Sequence, residues 1–443
     1  MIRSVYNIRM TTVKTLLLAA VLPLTLVSSS AASASTLKIK GGTPSTVTIC
    51  GKGVKARSVG AGARVTVRLR GKGRLKVQTC RNGHWVKPRR ATKRVALKRP
   101  FGDYRIRGGH KKAYVRFGVG ELVDTTFTAN VVNQNTTIAG CSPDGLQRTI
   151  RGHLTGPRAA LAGLGRSATL LLHGFGYGEF FWRFREVPGY DAARQLALKN
   201  HVVVTVDRAG YGTSKSPADG TTTCIGSQAD MAHQLADDLK SGNYTLGAKN
   251  QSLTFSRVAL VGHSAAGAMV ELAAASFDDV DAIGIVSYND SGFTPLTLAQ
   301  LGMQTLSCPA GAEGTPGFAP FGATDADFTE AHLNAPTDPA VAAAVLRLRA
   351  PEPCGDVTSA AGAVVALEAA DMTISGIPVL LVIGDSDHVF DPSNESLQDT
   401  RMTTGGAQVT ATTIGAAGHA ITLGLSHLQF VAELSRWLTA SGF

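Results

Sequence analysis

Acidic side chains are almost missing from the early part of this chain. Residues 37–118 hold 24 lysines and arginines and one acid, Asp103. So one-sided a charge is costly through self-repulsion and invites an anionic partner. Aromatics are sparse there too: Trp85, Phe101, Tyr104, Tyr114 and Phe117 are the only ones. That scarcity speaks against a base-stacking platform for nucleic acid. None of the six cysteines sits in a Cys-x-x-Cys pair. No glycine loop is followed by Gly-Lys-Ser/Thr, which excludes a P-loop. No His, Cys and Asp cluster has zinc-ligand spacing, so neither metal nor cofactor is expected. The apolar run 16–27 is shorter than the ~20 residues that span a bilayer comfortably.

What is present describes a globular protein. The chain has 443 residues, 44% of them hydrophobic, and a mean hydropathy of +0.07. That length fits a leader followed by two or three domain-sized pieces. The net charge of +12 averages two unlike parts, because the chain beyond residue 118 is acidic at about −14. Residues 1–34 read as a secretory signal. Arg3, Arg9 and Lys14 supply positive charge, 16–27 the apolar core, and Ala32-Ser33-Ala34 an A-x-A cleavage site. Met10 is a second candidate start. Export implies a secreted, extracellular or cell-surface protein in an oxidising compartment. Six cysteines allow about 15 pairings. Proximity within the expected domains suggests Cys50–Cys80, Cys141–Cys224 and Cys308–Cys354, with buried free thiols as the alternative.

Residues 37–118 read as a small all-β domain. β-formers cluster at 46–49, 64–70, 74–79, 94–97, 104–107 and 114–117, with Gly, Pro or Asn between most of them. In 64–70 valines and leucine alternate with arginines, as in a half-buried antiparallel strand. The strand count and Asp103-Tyr104-Arg105-Ile106-Arg107 resemble bacterial immunoglobulin-like modules, which implies a sandwich. The basic face suggests an anionic cell-wall polymer or membrane surface as partner, and export disfavours nucleic acid. A merely solvated surface is the blander alternative. Residues 119–137 read as a linker or early strand.

From 138 onward strands alternate with helices, the pattern of a mostly parallel, doubly wound sheet. Expected strands are 147–154, 167–172, 201–206, 258–261, 281–286, 377–383 and 408–414. Expected helices are 227–239, 268–276 and 425–438. Residues 291–375 break the alternation and are rich in Ala, Pro and Gly, with helical stretches near 340–348 and 359–369. The key stretch is Arg257–Gly267, Arg-Val-Ala-Leu-Val-Gly-His-Ser-Ala-Ala-Gly. A buried strand there turns sharply into a helix with Ser264 at the turn.

This stretch resembles the nucleophile elbow of the α/β-hydrolase superfamily, with Ala266 in place of the second glycine of Gly-x-Ser-x-Gly. The resemblance covers roughly 138–443. It implies a catalytic triad in the order serine, acid, histidine. The histidine would be His419, in Gly415-Ala416-Ala417-Gly418-His419. The acid would be Asp387, at the last position of Gly384-Asp385-Ser386-Asp387, with Asp385 and Asp290 as alternatives. Oxyanion donors would be the backbone N–H groups of Ala265 and Phe175, the latter in the loop His173-Gly174-Phe175-Gly176-Tyr177-Gly178. The loop 207–214 resembles the Asp-x-x-Gly-x-Gly-x-Ser turn beside the elbow. Insertion 291–375 would be a helical lid, with an extra surface layer as its alternative. The implied activity is a serine hydrolase, carboxylesterase- or lipase-like, acting on a small-molecule or lipid ester. Peptidase, amidase, thioesterase and acyltransferase chemistry use the same groups. The alternative of another class is a non-catalytic surface-binding protein.

Overall fold

Alternation of valine with arginine becomes a two-sided strand in β4 (Arg64–Arg70). There Val65, Val67 and Leu69 are buried, and Arg64, Arg68 and Arg70 face solvent. The computed structural model describes residues 36–443 apart from 42, 50–51, 60–63, 71–72, 82–83, 99–101, 119–121, 162–165, 217, 250–251 and 312–314. The expected leader, residues 1–34, lies outside the described residues. So does Cys50, the expected partner of Cys80, which is itself disulfide-bonded.

The basic region holds β1 (Thr36–Lys40), β2 (Thr43–Ile49), β3 (Lys52–Val59), β4 (Arg64–Arg70), β5 (Leu75–Arg81), β6 (His84–Trp85), β7 (Arg89–Ala91), β8 (Arg94–Lys98), β9 (Gly102–Gly108) and β10 (Lys111–Phe117). One sheet runs β1-β4-β8. The other runs β2-β3-β10-β9-β5-β6, with β7 also paired to β5. Val65, Val67, Leu69, Leu75, Ile106, Val115 and Phe117 form a common core between them. Strands β1, β3, β6 and β7 were not anticipated, because Lys, Arg and Gly dilute their β-formers.

Beyond them a nine-stranded sheet runs β15-β11-β12-β14-β13-β16-β17-β20-β21. Its members are β11 (Leu122–Val132), β12 (Gln147–Pro157), β13 (Ser167–Leu172), β14 (Val203–Asp207), β15 (Thr245–Leu246), β16 (Arg257–His263), β17 (Ala282–Val286), β20 (Pro378–Gly384) and β21 (Gln408–Ile414). Neighbours from β14 to β21 pair in parallel, and β15, β11 and β12 are antiparallel additions. The parallel strands β14 and β17 are buried at every position, as strands covered on both faces must be. Of the two readings of 119–137, linker or early strand, the structure holds the strand: β11 pairs along all eleven residues with β12. Phe127, Ala129 and Val131 point inward while Thr and Asn alternate between them, a weak apolar signal.

The helices are α1 (Arg158–Leu161), α2 (Ala192–Ala197), α3 (Ile225–Ser241), α4 (Ala265–Ser276), α5 (Pro295–Ser307), α6 (Asp325–His332), α7 (Pro339–Leu348), α8 (Cys354–Ala370), α9 (Glu395–Gly405) and α10 (His427–Ala440). Helices α3, α4 and α8 pack together, and α2 packs with α10. The insertion carries α5 to α8 and a two-stranded ribbon, β18 (Phe318–Ala319) with β19 (Glu352–Pro353). Cys308–Cys354 ties the end of α5 to the start of α8, and Cys141–Cys224 ties the segment after β11 to the start of α3. Among the described residues no helix is long and apolar enough to cross a membrane.

Candidate active site

Strand β16 ends at His263 and α4 begins at Ala265, leaving Ser264 alone in the turn. Its backbone sits at φ 55°, ψ −126°, a conformation a non-glycine residue keeps only when its surroundings impose it. Bare backbone around the turn makes this possible. A Cβ on Gly262 would lie 1.9 Å from the Ala266 carbonyl oxygen, and one on Gly174 would lie 2.6 Å from Ser264 Cβ. The position of the missing second glycine is filled by Ala266, which is fully buried. Tight packing shifts one residue on: a Cβ on Gly267 would lie 2.7 Å from Tyr288 Cβ. Ser264 stands at the N-cap of the twelve-residue α4, at the positive end of its dipole.

Two neighbouring parallel strands deliver the other side chains. β20 and β21 pair up to Gly384 with Ile414. A Cβ on Gly384 would lie 2.1 Å from the Ala417 carbonyl oxygen, so the loops that follow press together. Asp387 Oδ2 lies 2.9 Å from His419 Nδ1, and both side chains are fully buried. Asp387 Oδ1 accepts from the N–H groups of Val389 at 2.8 Å and Phe390 at 3.1 Å. With Nδ1–H donating to the carboxylate, the other ring nitrogen, Nε2, carries the lone pair. It is buried and has no hydrogen-bond partner, Ser264 included. Hydrogen bonds of this kind are often long without substrate and tighten in the complex. His263, the neighbour of Ser264, donates from Nε2 to the His419 carbonyl at 2.9 Å.

The alternative acids sit elsewhere. Asp385 is exposed and accepts from its neighbour Ser386. Asp290 pairs with Arg401.

The loop after β13 runs over the serine. His173 donates from Nδ1 to the Gly174 carbonyl and accepts the Arg208 N–H at Nε2, 3.2 Å away. Burial pushes its pKa well below the ordinary histidine value, so it serves as a neutral brace. Glu352 Oε1 accepts the Gly176 N–H from the insertion side. Burial pushes the Glu352 carboxyl up to about 8, against the opposing pull of that N–H. Neither Phe175 N–H nor Ala265 N–H has a protein acceptor among the described residues. In loop 207–214, the Asp207 carboxylate accepts from the N–H groups of Glu179 and Thr213, knitting the two loops together.

Ser264, Ala265 and Phe175 share one apolar cavity with Tyr288, His332 and Phe390. The insertion contributes Phe293, Leu301, Phe321, His332 and Ala363 to its wall. A strand-turn-helix serine, a buried carboxylate–imidazole pair and two free N–H groups thus gather at the C-terminal ends of parallel strands, where open α/β sheets bind ligands.

A family model described as the alpha/beta hydrolase family matches residues 169–434. The chain belongs to the alpha/beta hydrolase family. That membership supports a hydrolase activity. No curated protein matches the chain. Among solved structures it is similar to a thermophilic esterase from Thermogutta terrifontis, at 18% identity and a TM-score of 0.48, over 70% of this chain and 100% of that one. It is similar to a monoacylglycerol lipase of Paleococcus ferrophilus, at 16% identity and a TM-score of 0.42, over 62% and 95%. It is also similar to an enol-lactonase of Burkholderia xenovorans, at 17% identity and a TM-score of 0.45, over 66% and 97%.

Within this alpha/beta hydrolase the structure adds residues that the sequence did not single out. His332, the last residue of α6, packs its ring 4.7 Å from that of His419. Its Nδ1 lies 2.9 Å from the Tyr177 hydroxyl, and its Nε2 is buried without a partner. Burial, and then the neighbouring His419 and His263, push its pKa well below the ordinary value. His263 stacks on Phe181 at 3.9 Å. No spacing rule marks His332, which lies 68 residues beyond the serine along the chain. Away from the cavity, Glu271, Asp290 and Asp371 bring carboxylate oxygens within 4.8 Å of one another, and Arg401 pairs with the last two.

Proposed function

We propose that this alpha/beta hydrolase is an exported serine hydrolase that cleaves carboxylic esters. Ser264 Oγ attacks the ester carbonyl while His419 Nε2 takes its proton. Asp387 holds the imidazole in the Nδ1–H tautomer and stabilises the imidazolium. The N–H groups of Phe175 and Ala265 receive the developing oxyanion. The tetrahedral intermediate collapses, the alcohol leaves with the proton from His419, and an acyl-enzyme remains. Water then attacks it, giving up a proton to His419, which passes that proton to the Ser264 oxygen as its bond to the acyl carbon breaks and the acid is released. The apolar cavity wall favours an apolar acyl group over a charged one. We read the insertion as a lid, since it supplies part of that wall. The basic immunoglobulin-like region 37–118 is read as a tether to an anionic surface.

The observation that carries the reading is the strained Ser264 turn opening on a cavity walled by Val389, Phe390 and His332, the residues that hold Asp387 and pack on the His419 ring. A fluorophosphonate probe tests it. Wild type is expected to label and Ser264→Ala to remain unlabelled, with ester turnover reduced by roughly 10⁶. Retained turnover of short p-nitrophenyl esters in Ser264→Ala refutes the assignment. An unlabelled, inactive wild type favours the non-catalytic surface-binding alternative.

A further inference from the structure

One face of the larger basic sheet carries a pattern that ester cleavage does not use. Antiparallel pairing sets Arg90 opposite Lys76, Lys76 opposite Arg107, and Arg107 opposite Lys112. Residues directly opposite in such a ladder point to the same side. All four are exposed. Adjacent strands lie ~4.8 Å apart, so these cations form one row roughly 14 Å long across β7, β5, β9 and β10. Lys76, Arg107 and Lys112 line a depression together with Arg74, Gly109 and His110. Like charges directly opposite destabilise a ladder. Among the described residues no acid pairs with them, and the region's only acid, Asp103, is held by Arg116 at 2.7 and 2.9 Å.

An aromatic pair flanks the row. Tyr114 follows Lys112 by two residues and therefore shares its face, opposite Arg105. The Trp85 ring lies 6.2 Å from that of Tyr114, with the Arg105 guanidinium 4.3 Å over it. Gln78 Oε1 fixes Arg105 through bonds of 2.7 and 3.1 Å. Trp85 and Tyr114 are both partly exposed.

We propose that this face binds a linear anionic polysaccharide. Acidic groups of the polymer run along Arg90, Lys76, Arg107 and Lys112, and a sugar ring packs its C–H groups against Trp85 and Tyr114. The proposal rests on the tether reading above and deepens it by naming the site and the ligand class. A single row of charge matches a chain better than a bilayer plane. One aromatic pair serves one sugar ring, whereas single-stranded nucleic acid stacks successive bases on successive rings. The smaller sheet has a shorter row, Lys38, Arg68 and Arg94, with no aromatic residue on its strands.

Affinity electrophoresis of the full chain tests the site, with polygalacturonate as the acidic probe and dextran as the neutral one. Polygalacturonate is expected to retard the protein, less so as salt rises, and dextran is not. The triple variant Lys76→Gln, Arg107→Gln, Lys112→Gln is expected to weaken binding by roughly tenfold or more. Trp85→Ala is expected to weaken it as well. Neutralising Lys38, Arg68 and Arg94 removes the same charge from the other sheet and is expected to have the smaller effect. Equal losses in the two triple variants, or undiminished binding in the first, overturn the proposal. Binding to phosphatidylglycerol vesicles or oligo(dT) with none to polygalacturonate overturns it too. Turnover of p-nitrophenyl butyrate by the same wild-type preparation reports the hydrolase reading alone. Its absence sinks that reading and leaves the binding result standing.

Discussion

Replacing Asp387 by asparagine isolates the role of one carboxylate. Oδ1 accepts two backbone N–H groups, from Val389 and Phe390. An asparagine must keep its carbonyl oxygen there, since an amide NH₂ would meet both donors head-on. Its NH₂ then replaces Oδ2 and faces His419 Nδ1, now 2.9 Å from the carboxylate. The imidazole answers by accepting at Nδ1 and carrying its proton on Nε2. In that tautomer it cannot take the Ser264 proton. A triad held in the wrong tautomer loses roughly 10⁴ in kcat, about 5.5 kcal/mol at 1.36 kcal/mol per factor of ten. The shape of the site changes little, so KM should move far less than kcat. Steady-state kinetics with a short p-nitrophenyl ester, alongside a thermal melt, measures both. Asp385→Asn is the control, because that side chain is exposed and bonds only its neighbour and nearby backbone. If Asp387→Asn keeps activity within about tenfold of wild type, or if Asp385→Asn is the variant that loses it, the assignment of the acid is wrong.

Two further outcomes are expected. Gly174→Ala places a Cβ 2.6 Å from Ser264 Cβ and 2.8 Å from the His263 carbonyl. Turnover should fall by roughly 10² through displacement of the loop, and an ester assay showing wild-type rates would contradict the close approach. Glu352 has its folded pKa raised from 4.5 to about 8. The unfolded chain therefore gives up this proton first, so stability is whole below about 4.5 and declines as pH rises toward 8. Asp290, raised to about 6, and Glu395, raised to about 7, add declines of the same sign. Glu352→Gln should flatten the fall in urea midpoint between pH 5 and pH 8, and parallel profiles for variant and wild type would discount the buried carboxyl.

Periodicity made much of the architecture legible. Strands β4, β13 and β21 occupy the expected residues, because continuous or alternating β-formers bounded by glycine and charge leave little choice of register. Strand β11 was harder to read. Its Thr126, Thr128 and Asn130 face outward, and its apolar face emerges only against β12. The elbow was legible because the turn demands small residues at fixed offsets, and Gly262 meets that demand. His332, Tyr177 and Glu352 carried no such mark. Packing of the insertion against the sheet brings His332 to the cavity and to Tyr177, and Glu352 to the Gly176 N–H, through contacts more than a hundred residues apart along the chain.

Local chemistry therefore determined, from the amino acids alone, the strand–turn–helix with its serine, the charge asymmetry of the two regions and the order of candidate groups. Tertiary structure decided which of three aspartates meets His419, that the insertion's His332 stands beside it, and which four cations form a row. The physical reason is range. Backbone sterics and side-chain alternation act within a few residues, whereas a hydrogen bond or a cross-strand neighbour depends on which distant segments the core packs together.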